Sequence, residues 1–269
     1  NSNAVVGATG VIDLNTTLSA TSVSTWDFQT GSTLRLSAAG NQSLDVDFNG
    51  AAIDNLILSG TGVKTLTESI TVSEVLTLSE LATLNTSTYT LTYGASSTLQ
   101  YTTTDVRTVG VEWPAPFNGG VIIGNTAGSI TLNGAKTLGA SLTLNSGSTF
   151  ITNNHNISLG GNWTNNGATF TPGTGTVTFT GSSSQINGTA TSQTFTNLTL
   201  NKTAGQTLSV GGSTTALTIT GAYTQTQGNF TAPATLTVGG NTTLTAGTFT
   251  AGANVSVAGN WTNNGATFT

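Results

Sequence analysis

Residues 216–269 read ALTITGAYTQTQGNFTAPATLTVGGNTTLTAGTFTAGANVSVAGNWTNNGATFT, and their apolar and glycine positions recur with a 19-residue period. Apolar pairs with this step begin just before the stretch and run through it, at Leu198/Leu200, Leu217/Ile219, Leu236/Val238 and Val255/Val257. Two more columns keep the same step, a glycine at Gly221, Gly240 and Gly259 and an aromatic residue at Phe230, Phe249 and Phe268. Several independent columns with one period indicate a protein built from stacked repeats.

The period and the alternation of apolar residues with Thr and Ser predict an all-β fold, a parallel β-solenoid with turns of about 19–22 residues. Short alternating strands separated by Gly or Asn-Gly corners are typical of this architecture. Each residue should lie directly above its counterpart one turn earlier, so Leu198, Leu217, Leu236 and Val255 should form one core ladder. The phenylalanine column should form a second ladder, and the glycine column should form a tight corner.

The repeat extends towards the N-terminus with less regular steps. The same 19-residue step is expected from Leu138 to Ile157 and from Ile70/Val72 to Tyr89/Leu91. Longer steps connect Ile157 to Val177 and Leu198, Leu34 to Leu56, and Leu99 to Val121. We therefore predict one continuous solenoid over 1–269, irregular at 1–33 and without an assignable register at 89–99. Such a region is expected to be a segment of a longer chain or a filament subunit.

A tandem array of β-sandwich domains is the alternative fold. The segment GNWTNNGATFT occurs at 161–171 and again at 259–269, so a 98-residue offset separates the copies. That spacing is close to the length of a sandwich domain. A sandwich array does not require the 19-residue register within each domain, so the solenoid is favoured.

The composition excludes several classes of partner. The chain has a net charge of −5, no cysteine, no methionine and only five basic residues, which are scattered through the sequence. Binding to nucleic acid requires a clustered basic surface, so no nucleic acid partner is expected. No apolar run is long enough for a membrane-spanning helix, so no membrane span is expected. A continuous repeat core, not disulfide bonds, should hold the fold together.

Catalytic chemistry is not expected. All ten acidic residues lie at or before Glu112, whereas hydrolysis of a polysaccharide needs paired carboxylates in a groove. Asp45 and Asp47 flank one strand position, and Asp54 lies close enough in sequence to join them around a hard cation, but a solvated strand face is the better interpretation. The same holds for Glu68, Glu74 and Glu80. His155, the single histidine, is expected in an Asn-rich turn, and no cofactor or metal site is predicted.

Three features are candidates for surface recognition. The tryptophans Trp26, Trp113, Trp163 and Trp261 are expected in the core, although a sugar-stacking role is the alternative for exposed rings. The segment EWPAPFNGG at 112–120 contains two prolines and is expected to loop off the solenoid, where it would be the best place for a specific contact. Twelve asparagines begin an Asn-x-Ser/Thr sequence, which composition and strand alternation largely explain.

The stretch from GNWTNNGATFTPGTGTVTFTG to FTNLTLNK, together with TLQYT and VGVEWPAPFNGGVII, resembles repeats of very large secreted bacterial surface proteins. Filamentous-haemagglutinin-like adhesins and autotransporter passenger domains share this β-solenoid character. The resemblance covers most of 30–269 at the level of composition and repeat. It implies an extracellular or cell-surface location and carries no active-site motif.

The function expected from these features is mechanical, a rod, stalk or filament of a bacterial surface protein. The alternative is a surface-binding module that recognises a glycan, or less readily ice, through Thr- and Asn-rich faces such as Thr248–Thr250 and Thr267–Thr269. Val257, Trp261 and Phe268 continue the core pattern to the end of the sequence without a charged cap. They are therefore candidate end-to-end contacts with continuing repeats or with another copy of the chain.

Overall fold

The computed structural model describes residues 3–15, 25–44, 52–124 and 128–269. These residues form strands, corners and loops without any helix, and the strands stack in parallel as a β-solenoid of about 12 turns. The predicted fold class is confirmed. Most turns contribute three strands, one to each side of the solenoid, and most strands pair with their counterparts in the turns below and above.

The first side is a sheet of 14 strands. Its order along the stack is β2 (Val11–Leu14), β4 (Thr33–Leu36), β6 (Ala52–Leu58), β8 (Ile70–Leu78), β11 (Thr98–Tyr101), β13 (Gly120–Ile123), β16 (Leu142–Leu144), β19 (Trp163–Asn165), β22 (Ser184–Asn187), β25 (Thr207–Val210), β28 (Asn229–Thr231), β31 (Thr248–Thr250) and β34 (Thr267–Phe268). β10 (Leu91–Tyr93) pairs with β8 beside this order.

The second side carries shorter sheets. Their strands are β5 (Gln42–Leu44), β7 (Val63–Leu66) and β9 (Thr83–Asn85); then β12 (Val106–Thr108), β14 (Ser129–Thr131), β17 (Thr149–Ile151) and β20 (Thr169–Thr171); and finally β23 (Ser192–Phe195), β26 (Ala216–Ile219), β29 (Thr235–Val238) and β32 (Asn254–Val257). The second side is therefore not one ladder, because it is interrupted between β9 and β12 and again between β20 and β23.

The third side contains a seven-stranded sheet. Its strands are β15 (Lys136–Leu138), β18 (Ile157–Leu159), β21 (Thr176–Gly181), β24 (Asn197–Lys202), β27 (Tyr223–Gln227), β30 (Thr242–Leu244) and β33 (Trp261–Asn263). Near the N-terminus, β1 (Asn3–Val6) pairs with β3 (Thr25–Phe28).

The core follows from the period-two alternation of the strands. In β26, Leu217 and Ile219 are buried, whereas Thr218 between them is directed outwards and is half-buried. Aromatic residues in equivalent positions stack along the axis, with the Phe249 ring centroid 5.5 Å from those of both Phe230 and Phe268. Burial of these inward residues is the main source of stability, at roughly 1.5–3 kcal/mol for each fully buried large aliphatic or aromatic side chain.

The registers correct part of the predicted ladder. Leu217, Leu236 and Val255 are paired as expected, but Leu198 lies in a different sheet, where it pairs with Tyr223. Loops between the sides of the solenoid make this a 25-residue turn, so the shorter period cannot be extended back from Leu217. Two earlier 19-residue steps are wrong for the same reason. Leu138 pairs with Leu159 and not with Ile157, and Ile70 pairs with Leu91 and not with Tyr89.

The glycine column is held by close stacking of backbones. Gly240 and Gly259 donate backbone N–H bonds to the carbonyls of Gly221 and Gly240. A Cβ at Gly240 would lie 2.7 Å from backbone atoms of Gly221, and one at Gly259 would lie 2.6 Å from Gly240. Any other residue would push adjacent turns apart at this corner.

The segment 112–120 does not loop off the solenoid, so that prediction is wrong. Trp113 and Phe117 are fully buried, and Phe117 forms a parallel bridge to Leu138. The two prolines prevent a regular strand, as expected, but the large aromatic residues beside them supply enough apolar surface to hold the segment in the stack.

Candidate functional site

Four of the five basic residues are buried at corners of the solenoid. The Lys64 ammonium donates hydrogen bonds to the carbonyls of Ala38 and Gly40, at 2.7 and 3.1 Å. The Lys202 ammonium binds the carbonyls of Thr180 and Ser182, at 3.1 and 2.5 Å. In each case the carbonyls belong to the preceding turn, so these side chains clamp successive turns together.

Arg107 and Lys136 act in the same way. The Arg107 guanidinium donates to the carbonyls of Ala82 and Glu80, and Lys136 Nζ donates to the Trp113 carbonyl at 2.6 Å. Burial lowers the pKa of Lys202 to about 8 and also lowers the pKa values of Lys64, Lys136 and Arg107. Four of the five scattered basic residues are therefore structural clamps.

A buried carboxylate, that of Glu112, lies at the start of the 112–120 segment. Glu112 is 3% exposed, and its Oε1 accepts hydrogen bonds from the Tyr101 hydroxyl at 2.9 Å and from the Gly110 N–H at 2.8 Å. The Tyr93 hydroxyl donates to the Glu112 carbonyl. Burial, followed by the charge of Glu112, raises the pKa values of Tyr93 and Tyr101 well above the usual range. These contacts fix the segment and leave the carboxylate inaccessible to a substrate.

Among the described residues, the remaining acidic candidates do not converge. Asp45 and Asp47 lie outside the described residues, and the Asp54 carboxylate accepts hydrogen bonds from the Gly31 N–H and the Ser73 hydroxyl. Glu74 accepts a 3.5 Å bond from Asn55. Across the described part of the chain, no group of three or more acidic, histidine or cysteine side chains could hold a metal ion.

His155 closes a tight β-turn. Its N–H donates to the Thr152 carbonyl at 3.0 Å, and the two central residues, Asn153 and Asn154, have positive φ angles of 52° and 67°. Asparagine tolerates this left-handed conformation better than most residues. The location in an Asn-rich turn agrees with the sequence.

Six asparagines of the Asn-x-Ser/Thr sequences connect neighbouring turns. Their Oδ1 atoms accept hydrogen bonds from backbone N–H groups of the following turn. These bonds lie close to the first backbone hydrogen bond of the next pair of strands. The examples, with their donors, are Asn41 with Val63, Asn156 with Thr176, Asn162 with Gln185, Asn197 with Ala222, Asn229 with Thr248 and Asn241 with Asn260. In each of these six sequences the asparagine is followed by one buried residue and then by an outward Ser or Thr, so corner hydrogen bonding accounts for half of the twelve sequences.

Both copies of GNWTNNGATFT form the same corner. In the first copy, Asn165 Oδ1 accepts the N–H groups of Gly167 and Ala168, at 3.0 and 2.8 Å. In the second, Asn263 Oδ1 accepts those of Gly265 and Ala266, at 3.0 and 2.9 Å. This local turn is encoded by Asn-Asn-Gly-Ala itself.

Each copy also lines a cavity. A cavity of about 170 Å³ lies beside Trp163 and Phe170 of the first copy, at the interruption between β20 and β23. An open depression of about 400 Å³ lies over the second copy, lined by Val255, Val257, Trp261 and Phe268. Trp261 and Phe268 are 39% and 51% exposed, so the three predicted end-contact residues lie together on one apolar surface.

A third depression, of about 230 Å³, adjoins the 112–120 segment. Its walls include Tyr93, Pro114, Pro116 and Phe117, and the rings of Tyr93 and Phe117 meet edge to face at 4.8 Å between centroids. Of the other tryptophans, Trp113 and Trp163 are 1% exposed, and Trp26 is partly buried against the core. Trp113 and Trp163 therefore lie in the core, as predicted for all four tryptophans, whereas the Trp261 ring is exposed.

Comparisons with protein-family models, with curated proteins and with solved structures found no match to this chain. The structure supports the β-solenoid character in the resemblance to bacterial surface proteins; the relationship to adhesins stays a prediction. No helix within the described ranges is long and apolar enough to cross a membrane.

Proposed function

We propose that this chain is a structural module of an extracellular bacterial surface protein, in which it forms part of a rod, stalk or filament. The observation that carries the proposal is the first sheet, which runs through successive turns from β2 to β34. At about 4.8 Å per turn, about 12 turns correspond to a rod of roughly 60 Å.

The bonding pattern suits a mechanical role. In a parallel solenoid the backbone hydrogen bonds of every turn point along the stack, and each turn contacts only its neighbours. The buried clamps Lys64, Arg107, Lys136 and Lys202 add bonds in the same direction. An axial load would therefore be shared among many parallel contacts.

The apolar surface formed by Val255, Val257, Trp261 and Phe268 supports an end-to-end contact. An unpaired strand edge with an exposed apolar core favours pairing with a further strand. We propose that this surface is covered by another turn of solenoid, either from continuing repeats or from another copy of the chain.

Electron microscopy and small-angle scattering of the purified protein test the rod, and sedimentation tests the contact. Thin rods, with concentration-dependent lengthening, are expected. The double variant Val257→Lys with Phe268→Lys should abolish the lengthening. Ser256→Lys with Thr267→Lys is the matched control, because these residues lie on the same strands next to Val257 and Phe268 but do not line the apolar depression. Compact particles would contradict the rod; rods that stay single at every concentration would contradict only the contact between copies.

A further inference from the structure

The second side of the solenoid is interrupted where the first copy of GNWTNNGATFT ends. β20 pairs with β17, and β23, in the same place one turn later, pairs with β26. No pairing joins β20 to β23 in the sheet order. On the other two sides the same turns are paired, through β19 with β22 and β21 with β24. The gap is therefore local, and it is held open between two intact ladders.

The cavity in this gap has both an aromatic and a polar wall. Phe170 is partly exposed here, whereas Phe150 and Phe195 on either side are fully buried. Its ring centroid lies 5.9 Å from that of Phe150 and 5.8 Å from that of Phe195. Ser192 and Thr194 are exposed at the rim. A small ligand would thus meet the exposed part of the Phe170 ring together with hydroxyl and backbone groups.

Hydrogen bonds fix the polar walls in advance. Gln193 is 4% exposed; its Oε1 accepts the Trp163 indole N–H at 2.8 Å, and its Nε2 donates to the Asn187 carbonyl and the Thr214 hydroxyl. Asn165 is 7% exposed and is held by the corner described above. A cavity with such walls is preformed, which lowers the entropy cost of binding.

The chemistry of the lining selects a neutral ligand with several hydroxyl groups. None of the seven lining residues is charged, and the sequence has no acidic residue beyond Glu112. Strand edges present both N–H donors and C=O acceptors, and a sugar hydroxyl can both accept and donate. The C–H face of a sugar ring would pack on Phe170. The cavity volume of about 170 Å³ is many times the ~10–15 Å³ that a single water needs on the same measure, so the cavity has room for one sugar ring.

We propose that the cavity formed by Trp163, Asn165, Ala168, Phe170 and Ser192–Thr194 binds a single neutral sugar ring, free or at the end of a glycan. The site adds a ligand to the mechanical role and does not depend on it, since a rod without sugar binding remains a rod.

The test is titration of the isotope-labelled protein with D-glucose, D-galactose, D-mannose and N-acetyl-D-glucosamine, followed by amide chemical shifts. At least one sugar should give saturable shifts at Phe170 and 192–194 with a dissociation constant in the millimolar range, as expected for a ligand of this size. The methyl glycoside of that sugar distinguishes a site for free sugars from a site for the end of a glycan. Binding equal to that of the free sugar indicates the end of a glycan, and loss of binding restricts the site to free sugars.

Two matched pairs of variants locate the binding. Phe170→Leu should weaken binding about tenfold, whereas Phe150→Leu, one turn earlier in the same column, should leave it within about twofold. Thr194→Val should weaken binding measurably, and Thr237→Val, in the same outward column two turns later, should not. Absence of saturable shifts with all four sugars, or binding that Phe170→Leu leaves unchanged, would overturn the proposal.

Discussion

The two copies of GNWTNNGATFT have one sequence and one corner but occupy different sides of the solenoid. In the first, Trp163–Asn165 belongs to the first sheet and Thr169–Thr171 to the second side. In the second, Trp261–Asn263 belongs to the third sheet and Thr267–Phe268 to the first. The motif therefore specifies a strand, a corner and a strand, and it does not specify a side.

Turn length explains the difference. Above the first copy, the first sheet pairs Trp163 with Ile186, which is a 23-residue step. Near the end of the stack it pairs Phe249 with Phe268, which is a 19-residue step. Because the turns shorten in this way, the 98-residue offset of the copies falls between four and five turns of the first sheet. The second copy therefore begins on the third side of the solenoid, whereas the first copy begins on the first side, which is the next side along the chain.

The largest expected effect concerns the two tryptophans. Trp163→Ala should lower the free energy of unfolding by about 3–5 kcal/mol, because a fully buried ring leaves a cavity. Trp261→Ala should cost about 1 kcal/mol or less, because that ring is 39% exposed and neighbours at an open surface can relax. Chemical denaturation at low protein concentration measures both. Equal losses would show that Trp261 is covered in solution, which would favour the end contact.

The corner asparagines come next. Asn165→Ala should destabilise by about 1–3 kcal/mol, since Asn165 is 7% exposed and its loss leaves the partly buried N–H groups of Gly167 and Ala168 without this acceptor. Asn263→Ala breaks the same bonds, but water can replace them at an exposed site, so less than about 1 kcal/mol is expected. Denaturation midpoints compare the two variants. A larger loss at Asn263 would contradict the view that burial, not the motif, sets the cost.

Among the basic residues, Lys202 should make the free energy of unfolding depend on pH. Its pKa is about 8 in the folded chain and about 10.4 when unfolded, so the unfolded chain binds more protons between these values. Stability attributable to Lys202 should be present above the unfolded pKa and should be lost as pH falls through the folded pKa. Unfolding followed from pH 7 to about 9.5, below the usual tyrosine pKa, should show stability rising with pH.

Lys202→Met is the control for this rise, because it keeps an apolar stem of similar length without the ammonium group. The variant should flatten the part of the rise that belongs to Lys202. It should also lower stability by about 1–3 kcal/mol, since the carbonyls of Thr180 and Ser182 lose their donor. An unchanged pH profile in Lys202→Met would assign the rise to other groups.

The smallest effect is expected at Arg35, the basic residue outside the corners. Its guanidinium lies 3.7 Å from Asp13, and both side chains are nearly half exposed. Such surface pairs contribute at most about 1 kcal/mol and commonly less. Arg35→Ala should shift the denaturation midpoint far less than Lys202→Met does. A comparable shift would mean that exposed and buried cations contribute alike.

Much of this fold could be predicted from periodicity. The alternation in Leu217–Ile219 and the 19-residue columns from Leu217 to Val255 follow from parallel stacking, in which equivalent residues must share one environment. The placement of Leu198 and Leu217 on different sides of the solenoid could not be predicted, because the repeat period does not reveal the length of the loops between sides.

The sites were less predictable. The exposed core pattern at Val257, Trp261 and Phe268 could be found from the sequence, since strand parity continues through them. The clamps at Lys64 and Lys202 could not, because an isolated lysine looks like a surface residue until the carbonyls of the preceding turn are located. The cavity at Phe170 depends on a missing strand pair, which no local pattern reports.

The register of the turns is the central claim, and engineered disulfides test it most directly because the chain has no cysteine. Thr199 pairs with Thr224 in the structure, whereas the 19-residue period would place it beside Thr218. Parallel neighbours lie within the ~4.4–6.8 Å Cα separation that a disulfide allows. The double variant Thr199→Cys with Thr224→Cys should form an intramolecular disulfide on mild oxidation, and Thr199→Cys with Thr218→Cys should not. Cross-linking of the second pair in preference to the first would contradict the register.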